Sequence, residues 1–363
     1  MKYFGRWLIP FVAAIAVFIG MQFDSSLYTK PVGRVESVQV IKTTSHDDED
    51  QNHDRLTKQQ VKVRLLNTAK RGQSVTIHNT YSFSGGLDNQ LRPGEQIFLD
   101  VDKGVYTLNN IKRDAILAAL LVLTFGLIFL VMGRRAWLTS ISILLNTVIF
   151  FIAVTWEIGS KQWQAWWLFV GLAVVFTILT AVFIVGFKPI AVTISLGSLL
   201  ATGLAVALGY GVLTLTNYNG VHLEEVKYAT QMPQLLFFAQ IVIGSLGAVL
   251  DEASDISVAI FQLHDSAKER FQAGMAIGRN VMGPLISVLF MIFIADTFVE
   301  SVLWIRNNNS IAQTVIWVMG LGFAQSLISA FGIVLAVPMT SGLLRMRTRC
   351  RSSRQSKRSS RSR

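Results

Sequence analysis

The chain has 363 residues, of which 52% are hydrophobic and 15% charged, and its formal net charge at pH 7 is +11. This charged fraction lies well below that of ordinary soluble domains, which excludes a disordered chain and disfavours a soluble globular protein. The single cysteine, Cys350, excludes an internal disulfide and a thiolate metal cluster. Because the apolar residues lie in long runs, the composition predicts a multi-pass membrane protein.

The first segment is apolar and follows two basic residues. Trp7–Phe23 comes after Lys2 and Arg6, which is the pattern of a signal sequence or a signal anchor. No small-x-small cleavage site follows the apolar stretch. We therefore predict an uncleaved signal-anchor helix within residues 1–23.

Residues 24–113 are polar and contain five segments with the alternation or the β-branched content of strands. Turn residues such as Gly85–Gly86 and Pro93–Gly94 separate these segments. The segments are 33–42, 60–66, 74–80, 95–101 and 105–110. The pattern predicts a small all-β domain, either a barrel or a sandwich, over residues 24–113.

Residues 114–344 consist mostly of apolar runs long enough to cross a hydrocarbon layer of about 30 Å at about 1.5 Å per residue. The predicted spans are 115–132, 136–155, 165–185, 190–214, 235–261, 275–295 and 311–337. With the N-terminal helix they give about eight transmembrane helices. The predicted fold class is an α-helical polytopic membrane protein with a small all-β extracytoplasmic domain after the first helix, and residues 345–363 form a basic tail.

Basic residues in the short connections predict the orientation of the helices. Arg134, Arg135 and Lys188 fall on one side of the membrane, together with the basic tail. We therefore expect a multi-pass protein of the cell membrane, with both termini cytoplasmic and the β domain extracytoplasmic. The expected partners are the lipid bilayer, with anionic lipid at the tail and no nucleic acid; a homo-oligomer or a second membrane subunit stays open as a further partner.

The first group of candidate functional residues lies in GSLGAVLDEASDISVAIF, residues 244–261. Gly247, Asp251 and Asp255 are spaced by four and share a helix face, and Gly244 adjoins that face. Small residues let a neighbouring helix approach, and two carboxylates one turn apart can share a proton or bind a cation. The alternative is that these acids reach the cytoplasmic surface and are simply hydrated.

The second group lies in AGMAIGRNVMG, residues 273–283. Gly274 and Gly278 form a helix-packing motif next to Arg279, and Gly283 with Pro284 predicts a kink or a break in the helix. A buried arginine needs a carboxylate, so we predict an ion pair of Arg279 with Asp255 or Asp251 as an ion-binding or gating cluster. The alternatives are a structural lock between two helices and an arginine that reaches toward the membrane surface.

Both stretches, with SAFGIVLAVPMTS at residues 329–341, resemble the YibE/YibF-like family of bacterial multi-pass membrane proteins, which occurs chiefly in Gram-positive bacteria. The resemblance covers roughly residues 115–341, and the β-rich segment resembles the extracytoplasmic part usual in that family. Asp251 and Arg279 match the family pattern, whereas Asn280 stands where the family commonly has Asp. The resemblance implies the architecture and no established activity, because members are described as uncharacterised membrane proteins or candidate permeases.

The sequence contains no signature of a protease, a hydrolase or a nucleotide-binding loop, so we predict no enzymatic activity, no cofactor and no metal site. The leading functional hypothesis is a permease or secondary transporter with an intramembrane Asp/Arg cluster. The alternative is a membrane scaffold or sensor whose outer β domain binds a protein or an envelope component.

Overall fold

The computed structural model describes residues 4–47, 53–85, 88–157, 162–225, 233–263 and 266–361. The chain divides into two compact units, Met1–Trp137 and Leu138–Arg363. The first unit therefore extends past residue 113, where the sequence places the end of the β domain. The side chains of residues 347–363 lie outside the described part, and with them the predicted contact of the basic tail with lipid.

The polar segment of the first unit folds into one antiparallel sheet of five strands, as the sequence predicts. The strands are β1 (Val32–Asp47), β2 (His53–Leu65), β3 (Ser74–Ser82), β4 (Gln96–Asp102) and β5 (Val105–Ile111), in the order β3-β2-β1-β4-β5. Alternate residues of β2, among them Val61, Val63 and Leu65, form a buried core with Ile77, Ile97 and Leu99. The edge strands β3 and β5 also contact each other, so the sheet curls toward a barrel.

Two apolar helices flank this sheet in the chain, α1 (Phe4–Gly20) and α2 (Asp114–Met132). The two helices pack closely, since a Cβ added to Gly126 of α2 would lie 2.8 Å from Pro10 Cβ of α1. Glycine at this position therefore lets the helices approach each other.

A buried ion cluster joins the β domain to these two helices. Lys112 Nζ lies 2.7 Å from Asp24 Oδ1 and 2.9 Å from Asp114 Oδ1, and it also donates a hydrogen bond to the carbonyl of Met21. The Lys112 side chain is 1% exposed and that of Asp24 is 8% exposed. The cluster thus ties together the chain leaving α1, the end of β5 and the first residue of α2.

Tyr28 completes the cluster. Its hydroxyl donates a hydrogen bond to Asp114, and its ring lies 5.2 Å from the Lys112 ammonium. The hydrogen bond to Asp114, with desolvation and the negative charges of Asp114 and Asp24, raises the pKa of Tyr28 well above its ordinary value. Tyr28 therefore stays a neutral donor throughout the physiological pH range.

The remaining helices are α3 (Arg134–Glu157), α4 (Gln162–Val185), α5 (Pro189–Leu215), α6 (Pro233–Phe261), α7 (Ala267–Arg306), α8 (Ile311–Thr314) and α9 (Gly320–Arg361), with a π-helical turn at Val315–Met319 between the last two. Within the described residues, seven helical segments are long and apolar enough to cross a membrane, which is compatible with a multi-pass membrane protein. The expected first span, α1, is a shorter apolar helix of 17 residues.

Helix α9 lies at the centre of the second unit, where α5, α6 and α7 all pack against it. Glycines and small residues make these contacts close. A Cβ on Gly197 of α5 would lie 2.6 Å from Thr340 Oγ1, and one on Gly278 of α7 would collide with Val337. The space beside Gly274 of α7 is likewise occupied by Ser341 of α9. The close packing of α5 and α7 against α9 therefore depends on glycines in α5 and α7.

Of the kink or break predicted at Gly283 and Pro284, the break is not found. Helix α7 runs without interruption from Ala267 to Arg306 and contains Pro284 in its interior. Proline removes one helical hydrogen bond, but surrounding helices allow this in apolar helices, so the chain continues.

Replacing Lys112 by methionine should strongly destabilise the first unit, by about 3–5 kcal/mol, because the buried Asp24 and the partly buried Asp114 would lose the ammonium that compensates them. The thermal unfolding midpoint of the full chain in detergent measures this effect. The matched control is Lys30→Met, since Lys30 and Asp100 form an ion pair with side chains 57% and 51% exposed, worth roughly 0–1 kcal/mol. Equal decreases of the unfolding midpoint in the two variants would show that the Lys112 cluster stabilises the protein no more than an exposed ion pair does.

Replacing Gly278 by leucine should destabilise the bundle by about 1–3 kcal/mol, because the new side chain meets Val337 in a packed seam. Gly283→Leu on the same helix is the control, since a Cβ there has no heavy atom within 4 Å. Tryptophan fluorescence during thermal unfolding follows both variants. A midpoint for Gly278→Leu at or above that of Gly283→Leu would contradict the close packing of α7 and α9.

Candidate functional site

The first group of predicted site residues lies on an exposed stripe of α6. Gly244, Gly247, Asp251 and Asp255 are all exposed in the structure, and they share one helix face as their spacing predicts. The side of Gly247 is open, with no heavy atom within 4 Å of an added Cβ. The opposite face of α6 carries the buried residues. The four residues thus share a face of α6, but no other helix of the bundle covers that face.

The predicted ion pair between Arg279 and an aspartate of α6 is not formed. Arg279 is exposed, and the described residues include no ion pair between it and Asp251 or Asp255. The reason lies in the rotation of α7. Gly278 faces α9, and Arg279 follows at about 100° around the helix, away from that seam.

The buried carboxylate of α6 is Glu252, which lies between the two predicted aspartates in sequence. Glu252 is 0% exposed, and both of its carboxylate oxygens are buried without a hydrogen-bond partner. It lies three residues after Val249 and four before Ile256, both also 0% exposed, so all three share the packed face of α6. An unpartnered charge in such surroundings is costly, so this carboxylate must be neutral or must bind a cation.

The helix register places Glu252 on the packed face of α6, three residues after Val249, which contacts α9. An added Cβ on Gly332 of α9 would lie 2.8 Å from Val249 Cγ2 of α6 and 3.7 Å from Ala205 Cβ of α5. A second contact joins Gly244 of α6 to Gln325 of α9, so the residue numbers rise together along these two helices and α6 runs parallel to α9. Helix α5 runs antiparallel to α9, because Gly197 contacts Thr340 while Ala205 lies beside Gly332. Three residues further along α9, Glu252 and Thr202 therefore lie at the same level of the bundle.

Buried hydroxyl side chains lie on α5, α6 and α9, with Thr202 at the level of Glu252 and the others further toward the end of α6. Five hydroxyl oxygens on the same three helices are buried without a hydrogen-bond partner, and they belong to Ser198, Thr202, Ser257, Thr340 and Ser341. Serine and threonine in helices commonly donate to the carbonyl four residues earlier, as Ser254 does to Leu250. The five, which we call the buried hydroxyls, keep free donors and acceptors in an otherwise apolar seam.

This arrangement can take up and release a proton or hold a small cation. A carboxylate and several hydroxyls supply only oxygen ligands, and no group of three His, Cys, Asp or Glu side chains within the described residues is placed to hold a metal ion. Because α6 ends nine residues after Glu252, the carboxylate lies about 14 Å from the end of its helix at about 1.5 Å per residue. Asp251 and Asp255 are exposed beside it on the same helix.

Sequence reasoning selected Asp251 and Asp255 and passed over Glu252, because periodicity shows which residues share a face and not which face is covered. One available signal was the stripe of Ser195, Ser198 and Thr202 on α5, three and four residues apart, which marks a helix face rich in small hydroxyl side chains. Such a face predicts a polar contact between helices. An acidic side chain on a neighbouring helix can then be buried in that contact.

Family comparison agrees with the architecture. The model of the YibE/F-like protein family matches residues 120–349, and the model of the YibE/F family N-terminal domain matches residues 26–113. No curated protein and no solved structure matches the chain. Since the first of the two matches covers more than half of the sequence, this chain belongs to the YibE/F-like protein family.

Proposed function

We propose that this protein is a secondary transporter in which Glu252 binds the coupling ion, a proton, on the packed face of α6. The observation that carries the proposal is the complete burial of Glu252 with no partner for either oxygen. An ionisable residue kept inside a helix bundle without compensation is a functional group by default, since a stabilising role would need a partner. The sequence has no ATP-binding motif, so we assign the energy source to an ion gradient.

Two exposed acids give the proton a route to Glu252. Asp255 lies three residues after Glu252 and Asp251 directly before it, and both are exposed. Residues three apart on a helix are neighbours, so Asp255 is close enough to exchange a proton with Glu252 through water or a hydroxyl. In this mechanism Arg279 does not form an ion pair with the acids, and no covalent catalysis takes place.

The proposal includes the orientation that the basic connections favour. We place the protein in the cell membrane, with both termini in the cytoplasm and the β domain outside. Glu252 then lies in the cytoplasmic half of the bundle, where Asp251 and Asp255 connect it to the cytoplasm. A second copy or another membrane subunit against the exposed stripe of α6 would shield these acids from lipid.

Replacing Glu252 by glutamine should abolish proton-coupled transport, because the amide has nearly the same shape and cannot take up a proton. Charge movement can be recorded from proteoliposomes on a solid-supported membrane while amines, amino acids, sugars, carboxylates and metal cations are offered in turn. We expect at least one class to give a pH-dependent current that disappears in Glu252→Gln.

Two further variants separate coupling from folding in that experiment. Glu252→Asp keeps a titratable group and should retain part of the current. Ser254→Ala changes a buried polar residue of α6 whose hydroxyl is already bonded to Leu250 and should leave the current unchanged. No current from any class, or a full pH-dependent current in Glu252→Gln, would overturn the transport proposal.

The β domain supports a second candidate function, a sensor or scaffold that binds an envelope partner. Strand β1 pairs with β4 only over Val32–Arg34, so within the described residues its outer edge beyond Val35 pairs with no other strand. Val40 and Ile41 on this stretch are 54% and 55% exposed, and Ile41 sits at a bulge. An exposed strand edge with apolar side chains is a ready surface for a further strand.

A photo-crosslinking amino acid at Val40 should report such a partner in living cells. Under the sensor hypothesis, Val40 gives a crosslink to a discrete protein, and Ile41→Pro removes it because proline blocks strand addition. The same crosslinker at Lys62, an outward-facing position of β2 between two other strands, is the control. Equal crosslinks at both positions, or a crosslink that survives Ile41→Pro, would contradict recognition by strand addition.

A further inference from the structure

A second polar region lies in the bundle, away from Glu252, in a cavity of about 460 Å³ between α6, α7 and α9. Its polar lining consists of Gln240, Asp296, Thr297, Glu300, Gln325 and Ser326. Asp296 lies ten residues before the end of α7, so the cavity is roughly 15 Å from that end at about 1.5 Å per residue. Neither the family comparison nor the coupling mechanism assigns a role to this cavity.

The cavity is lined by two acidic side chains and, within the described residues, by no basic one. Asp296 and Glu300 are four residues apart and share a face of α7. Within the described residues neither has an ion pair, and no basic side chain lines the cavity. Two carboxylates in the wall of a concave site create a field that favours a cation.

The remaining polar side chains of the cavity have unused hydrogen-bonding capacity. Ser326 is only 5% exposed, and its hydroxyl makes no hydrogen bond to any described residue. Gln240 and Gln325 also make none, and the Gln325 amide lies where Gly244 leaves room for it, 3.2 Å from a Cβ added there. A ligand in the cavity can supply the hydrogen bonds that these side chains do not make within the described part of the protein.

The other wall of the cavity is apolar. It is formed by Leu289, Ile292, Phe293, Val318 and Leu321. The ring of Phe293 packs against Gly322, since a Cβ added to Gly322 would lie 2.7 Å from the ring. Val318 belongs to the π-helical turn, a feature that often occurs at functional sites. A bare metal ion would make no use of this wall, whereas a hydrocarbon group would pack against it.

We propose that this cavity binds a small organic cation, an ammonium group on a hydrocarbon body, with the ammonium at Asp296 and Glu300 and the hydrocarbon against Phe293. The volume falls in the range of small-molecule sites, and an aromatic ring beside the site adds a favourable contact to a cation. As an assignment of the transported substrate, this inference rests on the proposed transport function. As an assignment of a binding site, it can be tested without transport.

Equilibrium binding to the purified full chain in detergent tests the proposal with matched probes. Phenethylamine carries an ammonium at neutral pH, phenethyl alcohol has a similar shape without charge, and 3-phenylpropionate has a negative charge. We expect only phenethylamine to bind, with affinity reduced about tenfold or more when Asp296→Asn and Glu300→Gln are combined. Glu224→Gln should leave binding unchanged, because Glu224 lies in an exposed connection and outside the cavity.

Several results would overturn the organic-cation site. Equal binding of the alcohol would reduce the cavity to an apolar pocket, and binding of sodium or calcium without phenethylamine would make it a metal-ion site. Absence of all binding would remove the site. If the double variant does not fold, the comparison of the three probes on the unmodified chain still decides the question, with Ser326→Ala as a milder variant that should weaken phenethylamine binding several-fold.

Glu252→Gln distinguishes this inference from the transport proposal. It should leave phenethylamine binding intact while removing proton coupling, because the two sites use different residues. Binding that is present without any transport of the probe contradicts the substrate assignment alone, and transport of another class without phenethylamine binding contradicts the cavity assignment alone.

Discussion

A carboxylate without a partner, enclosed by apolar helices, is the physical constraint around which the helical unit is organised. Water stabilises the charge of a carboxylate far better than a helix bundle does, so Glu252 must carry a proton or a cation whenever its surroundings are closed. Glu252 lies on the packed face of α6, and glycines such as Gly332 let α9 approach this face closely. In the proposed mechanism, the protonation of this side chain is coupled to the packing of the helices around it.

The same chain handles buried charge in a different way in its first unit. There the ammonium of Lys112 is enclosed as completely, but two carboxylates and a backbone carbonyl surround it within hydrogen-bonding distance. Such a compensated cluster fixes geometry and has no reason to change its protonation state. A chain that pairs its buried lysine and leaves its buried glutamate unpaired uses the first for structure, and the second is available for chemistry.

The sequence contains enough information for most of the architecture. Alternation and turn residues predict all five strands, and the apolar runs predict α2 to α6 to within a few residues, because both depend on local patterns. Helices α7 and α9 extend well beyond their predicted spans, since polar residues continue both helices past the apolar runs. The Lys112 cluster could not be predicted, since Asp24 is far from Lys112 in the chain and only the tertiary fold brings them together. The sequence left open whether α7 continues through Pro284, because a local rule for proline ignores the helices that support it.

The candidate site shows where local patterns fail for a membrane helix. In a soluble protein the polar stripe of α6 would face water and the apolar face the core, so periodicity alone would identify both. In a helix that is apolar on most sides, an acid can lie on the covered or the uncovered face, and the sequence spacing is the same. Asp251, Glu252 and Asp255 differ only in rotation about one helix, and the packing of α5 and α9 against Val249 decides which of them is enclosed.

Carbodiimide labelling tests this central claim most directly, because dicyclohexylcarbodiimide is hydrophobic and reacts with protonated carboxyl groups inside a membrane protein. The full chain in lipid is treated at neutral pH, and the modified peptides are identified by mass spectrometry. The account predicts that Glu252 is the principal modified acid of α6 and that labelling falls as the pH is raised, with Asp251 and Asp255 labelled weakly. Labelling of the two aspartates in place of Glu252, or an unlabelled α6, would show that the enclosed, proton-carrying glutamate does not exist.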